Sequence, residues 1–416
     1  MTCGFSRMAA ALLLKLRDLA RFFLGSEPSP AMEDDDLLGE ILLRVPPLPS
    51  SLLRASLVCK RWRRLVSDPQ FLRRFRAHHQ TPPLLGIFVK RFDGEYGFVP
   101  ALDAPNQIPP ARFSLSQFHG EHWRLLSCRH GLALLHNQIQ GYLTVWDPIT
   151  CRQFCIHSPP ELKYEQNGTY YDAFLTAAGG AEHEHDYCKL SSFKVVLVCT
   201  NRISKRASAC LYESESGKWS TISSTTVTHV WQSWCCVLVG NTLYWCPKLC
   251  RDIITLFWCP LLCSNAILEF DMDRQSLRTT RMPKDANVVQ TSYFQVLRIE
   301  DRDLGLAISS QEKMQLWGRR AMSDDTVEWV LQKTVELDKL IPQEPSLGKW
   351  VVILGYDEDN NAIFVSASSG VYMIQLESLQ FTKLVSHRGI TYCQPYASFY
   401  TSDAWRLPTI SAKRKK

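Results

Sequence analysis

Two cysteine pairs, Cys246-Pro-Lys-Leu-Cys250 and Cys259-Pro-Leu-Leu-Cys263, stand close in sequence and could together offer four thiolates to a zinc ion. Both lie in strand-like apolar sequence, where alternation aims side chains into a core rather than around a metal. The expectation is ordinary buried thiols. His183-Glu-His-Asp-Tyr-Cys188 carries ligand-type residues, but it follows Gly179-Gly180 and reads as an acidic loop. The chain has no Gly-rich phosphate loop, no nucleophile elbow of the Gly-x-Ser-x-Gly kind and no His-Glu-x-x-His helix. No catalytic, cofactor or metal residue is assigned.

The chain has 416 residues, a length that suggests two or three domains. With 45% hydrophobic and 21% charged residues it is not mainly disordered, collagenous or coiled-coil. Its net charge of +6 is concentrated at the two ends. Residues 1–80 hold 13 basic and 8 acidic side chains, and Lys413-Arg414-Lys415-Lys416 add four more positive charges. The 332 residues between them hold 30 basic and 33 acidic groups, so the bulk of the chain is no binder of nucleic acid. The apolar run Ala9 to Leu14 is cut by Lys15 and is too short for a usual signal peptide. Ile253–Leu268 contains Pro260, Ser264 and Asn265 and falls short of a membrane span. The 15 cysteines therefore read as reduced, buried small hydrophobes, and the expected location is cytoplasmic, nuclear or both, with no membrane partner. Residues 1–31 read as a helical or disordered extension, which an alternative start at Met32 would leave out, and residues 406–416 as a solubilising basic tail.

Between residues 33 and 76 the pattern is helical. Glu33-Asp-Asp-Asp36 places negative charge where a helix N-terminus favours it. Leu37, Leu38, Ile41, Leu42 and Val45 then form one apolar stripe at helical period, ended by Pro46-Pro47. Ser50-Ser51 offers the next N-cap, followed by Leu53, Leu57, Val58, Trp62, Leu65 and Val66. Asp68-Pro69 caps a last short helix bearing Phe71, Leu72 and Phe75. Four helices in so few residues carry more apolar surface than they can bury among themselves.

These residues resemble an F-box. The resemblance rests on Asp36-Leu-Leu-Gly-Glu-Ile-Leu-Leu-Arg-Val-Pro-Pro47, Leu53-Arg-Ala-Ser-Leu-Val-Cys-Lys-Arg-Trp62 and Asp68-Pro-Gln-Phe71 occurring in order. One departure is visible: Glu33-Asp34 stands where the family usually has Leu-Pro. The resemblance implies docking on the Skp adaptor of an SCF (Skp–cullin–F-box) ubiquitin ligase, with Leu38, Ile41, Leu42, Val45, Pro46, Leu57, Val58 and Trp62 as anchors. The Arg-rich run Lys60-Arg61-Trp62-Arg63-Arg64 reads as a solvated helix face or as support for an acidic partner.

From residue 84 to 405 the period changes. Short β-branched and aromatic runs recur, among them Leu85–Val89, Gly131–Leu135, Phe193–Val198, Cys235–Val239, Val351–Leu354 and Ala362–Val365, and predict an all-β region. A weak repeat of strand, Asp- or Ser-containing turn and strand aligns Trp146, Tyr212, Phe270, Trp317 and Ile374, at separations of 47 to 66 residues. Repetition at that length predicts a β-propeller of about five to six blades, with a β-sandwich pair as the rival. Val145-Trp146-Asp147-Pro148-Ile149-Thr150 and Gly131–Leu135 resemble the F-box-associated β-propeller-like domains of plant F-box proteins. The fold class expected is therefore α+β and multidomain: a small all-α module, 33–76, ahead of an all-β propeller-like domain, 84–405. Eleven of the twelve tryptophans lie beyond residue 80 and are expected to pack blade against blade.

The function these resemblances imply is that of a non-catalytic substrate receptor. The F-box would bind the Skp adaptor and, through it, cullin, while the β-domain would hold a target protein for degradation. A non-ligase scaffold or a ligand- or glycan-binding propeller is the alternative. Trp231, Trp234 and the acidic stretch 182–186 are the positions singled out for target binding.

Overall fold

The structure is a computed structural model. It describes residues 35–118, 123–159, 162, 169–177, 192–201, 203–227, 234–247, 266–283, 293–299, 303–310, 312–321, 327–342, 351–386 and 389–400. Four helices come first: α1 (Asp35–Leu43), α2 (Pro49–Ser56), α3 (Lys60–Val66) and α4 (Pro69–His79). Asp68 caps α4 as the sequence indicates, its Oδ2 accepting from Phe71 N at 2.9 Å with Pro69 in the first turn. Ser50 and Ser51 are not caps. The α2 helix starts one residue earlier, on Pro49, because proline is pre-shaped for a first helical position. Ser50 instead holds Asn106, with its N and Oγ at 3.1 and 2.7 Å from Asn106 Oδ1.

The remainder is a ring of six antiparallel sheets. The first joins β1 (Leu84–Arg91) and β2 (Tyr96–Pro100) to the last of the described strands, β24 (Ile390–Ala397). The second comprises β3 (Trp123–Arg129), β4 (Leu132–Asn137), β5 (Tyr142–Asp147) and β6 (Arg152–His157). The third holds β7 (Thr169–Ala177), β8 (Phe193–Asn201), β9 (Arg206–Glu213), β10 (Lys218–Trp219) and β11 (Ser223–Thr226). The fourth holds β12 (Trp234–Val239), β13 (Thr242–Pro247), β14 (Ala266–Asp271) and β15 (Ser276–Arg281). The fifth holds β16 (Tyr293–Ile299), β17 (Asp303–Ser309), β18 (Lys313–Ala321) and β19 (Val327–Glu336). The sixth holds β20 (Val351–Asp357), β21 (Ala362–Ala367), β22 (Gly370–Gln375) and β23 (Phe381–Val385), and β24 (Ile390–Ala397) follows.

This is a six-bladed β-propeller. The repeat positions Trp146, Tyr212, Phe270, Trp317 and Ile374 all fall on the third strand of blades two to six, and all are buried. The first blade escapes that count because it is assembled from both ends of the domain, β24 lying antiparallel on β1. That pairing closes the ring and removes two open sheet edges.

The cores lie between blades rather than within them. Leu134 and Val145 pack with Val195 and Leu197 across blades two and three. Val196 and Val198 meet Leu243, Trp245 and Phe270 across blades three and four. Two tryptophans add hydrogen bonds at the rim, Trp219 Nε1 donating to His157 O at 2.8 Å and Trp329 Nε1 to Arg281 O at 2.9 Å, each from one blade to the one before it. Between blades four and five the buried Glu269 meets Arg278 at 2.7 Å, Arg319 at 3.6 Å and the Tyr244 hydroxyl at 3.2 Å. A buried carboxylate requires such partners.

The inner strands β24, β3, β7, β12, β16 and β20 line the central channel and run parallel. Arg124 reaches Tyr171 O and Ser127 accepts from Leu175 N, so β3 and β7 advance together. Likewise Tyr392 and Tyr396 donate in order to Leu126 O and Gly131 O. The ends of these strands therefore share one face of the ring. Phe399, two residues past β24, leaves that face and enters the core of the helical module beside Phe71, Leu72 and Phe75.

Candidate functional site

The helical module divides the anchors expected from the sequence into two groups. Leu38, Leu42, Val45 and Trp62 are buried in the module's own core together with Leu52, Val66, Phe71 and Phe75. The most regular part of an apolar stripe is the part that packs inward, so these members hold the helices together. Ile41 and Pro46 are half-buried. Leu57 and Val58 stand out, 68% and 46% exposed, at the α2–α3 connection.

Two residues absent from the expected set join them. Leu37 on α1 is 42% exposed and Leu53 on α2 is 36% exposed. Leu53 precedes Leu57 by one helical turn, a spacing the sequence already contained. The basic run is partly consumed inside the module: Arg61 Nε pairs with Asp35 Oδ1 at 2.7 Å, and Arg74 Nη2 with Glu40 Oε1 at 2.5 Å. These exposed pairs tie α1 to α3 and α4 at small gain each. Lys60, Arg64 and Arg73 remain exposed. The module thus leaves four apolar side chains, Leu37, Leu53, Leu57 and Val58, and three cations, Lys60, Arg64 and Arg73, exposed among the described residues.

The second site is the channel. A cavity of about 70 Å³ is lined by all six inner strands. Arg129 Nη2 and Glu358 Oε2 stand 3.1 Å apart, and the guanidinium lies 4.6 Å from the centre of the Phe174 ring. Burial pushes the Glu358 carboxyl up, opposed by Arg129 and Arg298. Asp357 is pushed up to about 6 by burial, although its Oδ1 accepts from Asp359 N and Asn360 N and its Oδ2 from Asn360 Nδ2. His130 is held down to about 3, first by burial and then by Arg129, and is neutral. Sequence reasoning missed this set, because Arg129, Asp172 and Glu358 are far apart in the chain and meet only once the ring closes.

Trp231, Cys250, Cys259, Cys263 and residues 182–186 lie outside the described residues. Trp234 begins β12. Cys246 is buried opposite Cys235 in the β12–β13 ladder, and burial drives its thiol well up. Among the described residues no group of His, Cys, Asp and Glu is arranged to hold a metal, and no helix is long and apolar enough to cross a membrane.

A helical docking module on a six-bladed propeller defines an F-box β-propeller protein. Residues 34–74 match the F-box domain model, and residues 124–389 match the model described as F-box protein AT5G49610-like, beta-propeller. The second match spans most of the chain, which belongs to that family. F-box domains generally bind Skp-type adaptors, and F-box propeller proteins are typically non-catalytic adaptors. No curated protein matches the chain.

Among solved structures the chain is similar to dihydro-heme d1 dehydrogenase NirN in complex with DHE (11% identity, TM-score 0.34, 66% of this chain and 48% of that one). It is also similar to an oligogalacturonate lyase in complex with manganese (10%, 0.38, 71% and 72%). YCF48 from Cyanidioschyzon merolae gives 10%, 0.37, 73% and 87%. The chain spans about half the length of the first of these. Likeness at this level carries no argument about chemistry.

Proposed function

We propose that this protein is a substrate-recognition subunit of an SCF ubiquitin ligase, working in the cytoplasm, the nucleus or both. Its helical module docks on a Skp-type adaptor and thereby on cullin, while its propeller holds a target protein so that the target can be ubiquitinated and degraded. The chain performs no bond chemistry of its own. It raises the local concentration of target lysines near an activated ubiquitin. The observation that carries this reading is the exposure of Leu57, Val58, Leu37 and Leu53 on a module whose Leu38, Leu42, Val45 and Trp62 are buried in its own core. Burying such side chains on a partner contributes about 1.5–3 kcal/mol each at full burial, enough for a central anchor cluster.

Pull-down with a purified Skp-type adaptor tests it. The Leu57→Glu/Val58→Glu variant is expected to lose the adaptor while keeping the native unfolding midpoint. Equal capture by variant and native chain would sink the reading.

A further inference from the structure

Three hairpin turns of the propeller each carry a large apolar side chain into solvent: Phe92 between β1 and β2, Ile139 between β4 and β5, and Ile203 between β8 and β9. They are 61%, 69% and 76% exposed. Each turn joins the second and third strands of its blade, counted from the channel. The strand registers place all three on one face. Arg91 sits opposite Ile390, Asn137 opposite Trp123 and Asn201 opposite Thr169, so every turn lies where an inner strand begins. The helical module joins at the other end, since Leu84, five residues past α4, pairs with Ala397 at the finish of β24. The blades are consecutive in the ring, β24 meeting β3 through Tyr392 and β3 meeting β7 through Arg124. Blades one to three therefore show an arc of apolar tips on the face away from the docking helices.

The folding of the turns does not ask for these residues. Ile139 and Ile203 occupy the same place in the same turn: Asn137 Oδ1 accepts from Ile139 N and Gln140 N, and Asn201 Oδ1 from Ile203 N and Ser204 N. The asparagine closes the turn, and the isoleucine contributes only its amide. Asp271 closes a turn in the same way with the charged Asp273 at that place. In blades five and six the equivalent connections carry Ser310 and Glu312, and Ser368 and Ser369. Single exposed apolar residues are ordinary on a protein surface, whereas a set at corresponding connections of adjacent blades marks an interaction site. The anchors are also fixed in place, Phe92 N donating to Gly389 O at 2.9 Å, so binding would cost them little entropy.

Charge indicates the occupant. On blade three Lys205 and Arg206 follow Ile203, both exposed and with no ion pair among the described residues. On blade two the neighbours of Ile139 are the neutral Gln138 and Gln140. On blade one Arg91 stands 3.5 Å from Asp93, and Glu95 is exposed. Free positive charge is thus confined to one end of the arc. An anionic lipid surface would be repelled by Asp93 and Glu95 beside Phe92. A peptide with its acidic residues at one end would not.

We propose that this arc holds an extended segment of the target protein, with apolar side chains against Phe92, Ile139 and Ile203 and acidic residues over Lys205 and Arg206. The proposal deepens the substrate-receptor reading and rests on it for calling the owner of the segment a target. Target and adaptor then occupy opposite faces of the ring.

The test uses the full chain without adaptor. A displayed library of short random peptides is selected on it, and the enriched sequences are synthesised and measured by fluorescence polarisation. Enriched peptides should combine Asp or Glu at one end with large apolar residues. Phe92→Ser/Ile139→Ser/Ile203→Ser should weaken them about tenfold or more. Lys205→Glu/Arg206→Glu should weaken them comparably, and that loss should shrink at high salt. Both variants alter exposed turn residues, so unfolding midpoints and capture of a Skp-type adaptor should equal those of the native chain. No enrichment, enrichment of basic sequences, or equal binding of enriched peptides to the triple variant would each overturn the proposal. So would phosphatidylserine vesicles or a second copy of the chain engaging the same three side chains, read by co-sedimentation and light scattering. Failure here with adaptor capture intact removes this surface and leaves the receptor reading standing, while failure of adaptor capture leaves the peptide result untouched.

Discussion

Arg129 at the end of β3 and Glu358 just past β20 reach each other at 3.1 Å across the channel, joining the two blades that flank the closure blade. Arg298 of blade five adds a hydrogen bond to Glu358 O at 3.1 Å. The pair is largely enclosed, with 12% and 13% of the side chains exposed, so removing one partner leaves an uncompensated charge. Arg129→Met is expected to destabilise the propeller by about 3 kcal/mol in urea unfolding. Arg129→Met combined with Glu358→Leu is expected to recover much of that loss. A double variant as unstable as the sum of the singles would show that the pair is not coupled.

The two groups of apolar residues in the module predict opposite phenotypes. Leu42→Ala opens a cavity in the core and is expected to cost about 2–5 kcal/mol. Leu57→Ser touches only surface and is expected to stay within about 0.5 kcal/mol while weakening adaptor capture. Parallel calorimetry and pull-down separate the two.

Phe399 meets Phe75 with ring centroids 6.4 Å apart and an interplanar angle of 75°. Phe399→Ala is expected to destabilise the chain by about 3 kcal/mol and to lower adaptor capture although it alters none of the exposed anchors. Capture indistinguishable from the native chain at the same fraction folded would show that the contact serves the propeller alone.

Asp357 supplies a pH signature. Its folded-state value near 6 lies above the ordinary 3.8, so its neutral form is favoured by folding. That contribution is fully present below about pH 4 and is lost as pH rises through 6. Asp357→Asn is expected to remove this component. The difference between variant and native unfolding midpoints should grow in the variant's favour between pH 4 and pH 6. A constant difference across that window would contradict the assigned shift.

The module was legible because helical period, proline stops and the Asp68 cap are local signals, and the structure follows them closely from α1 to α4. Five blades were legible through their third strands, where a tight turn follows a large buried residue such as Trp146 or Phe270. The closure blade was not, since β24 and β1 are joined only by the ring and no local pattern links them. The same holds for the sites. Leu57 and Val58 could be named from sequence, but their exposure, and the burial of Leu42 and Trp62, depend on which side of each helix the core occupies. Arg129, Asp172 and Glu358 carry no motif at all, because the channel is a product of topology.

The pairing of β24 with β1, together with the seating of Phe399 in the module, imposes an order on biosynthesis. The docking helices leave the ribosome first, yet their core gains its last aromatic only when residue 399 has been made. The ring has no closed state before β24 exists. A chain cut short by a premature stop anywhere ahead of that point lacks both the closure strand and the inserted Phe399. Such a chain has neither a closed ring nor a finished module core, so the completeness of the N-terminal helices depends on the far end of the propeller.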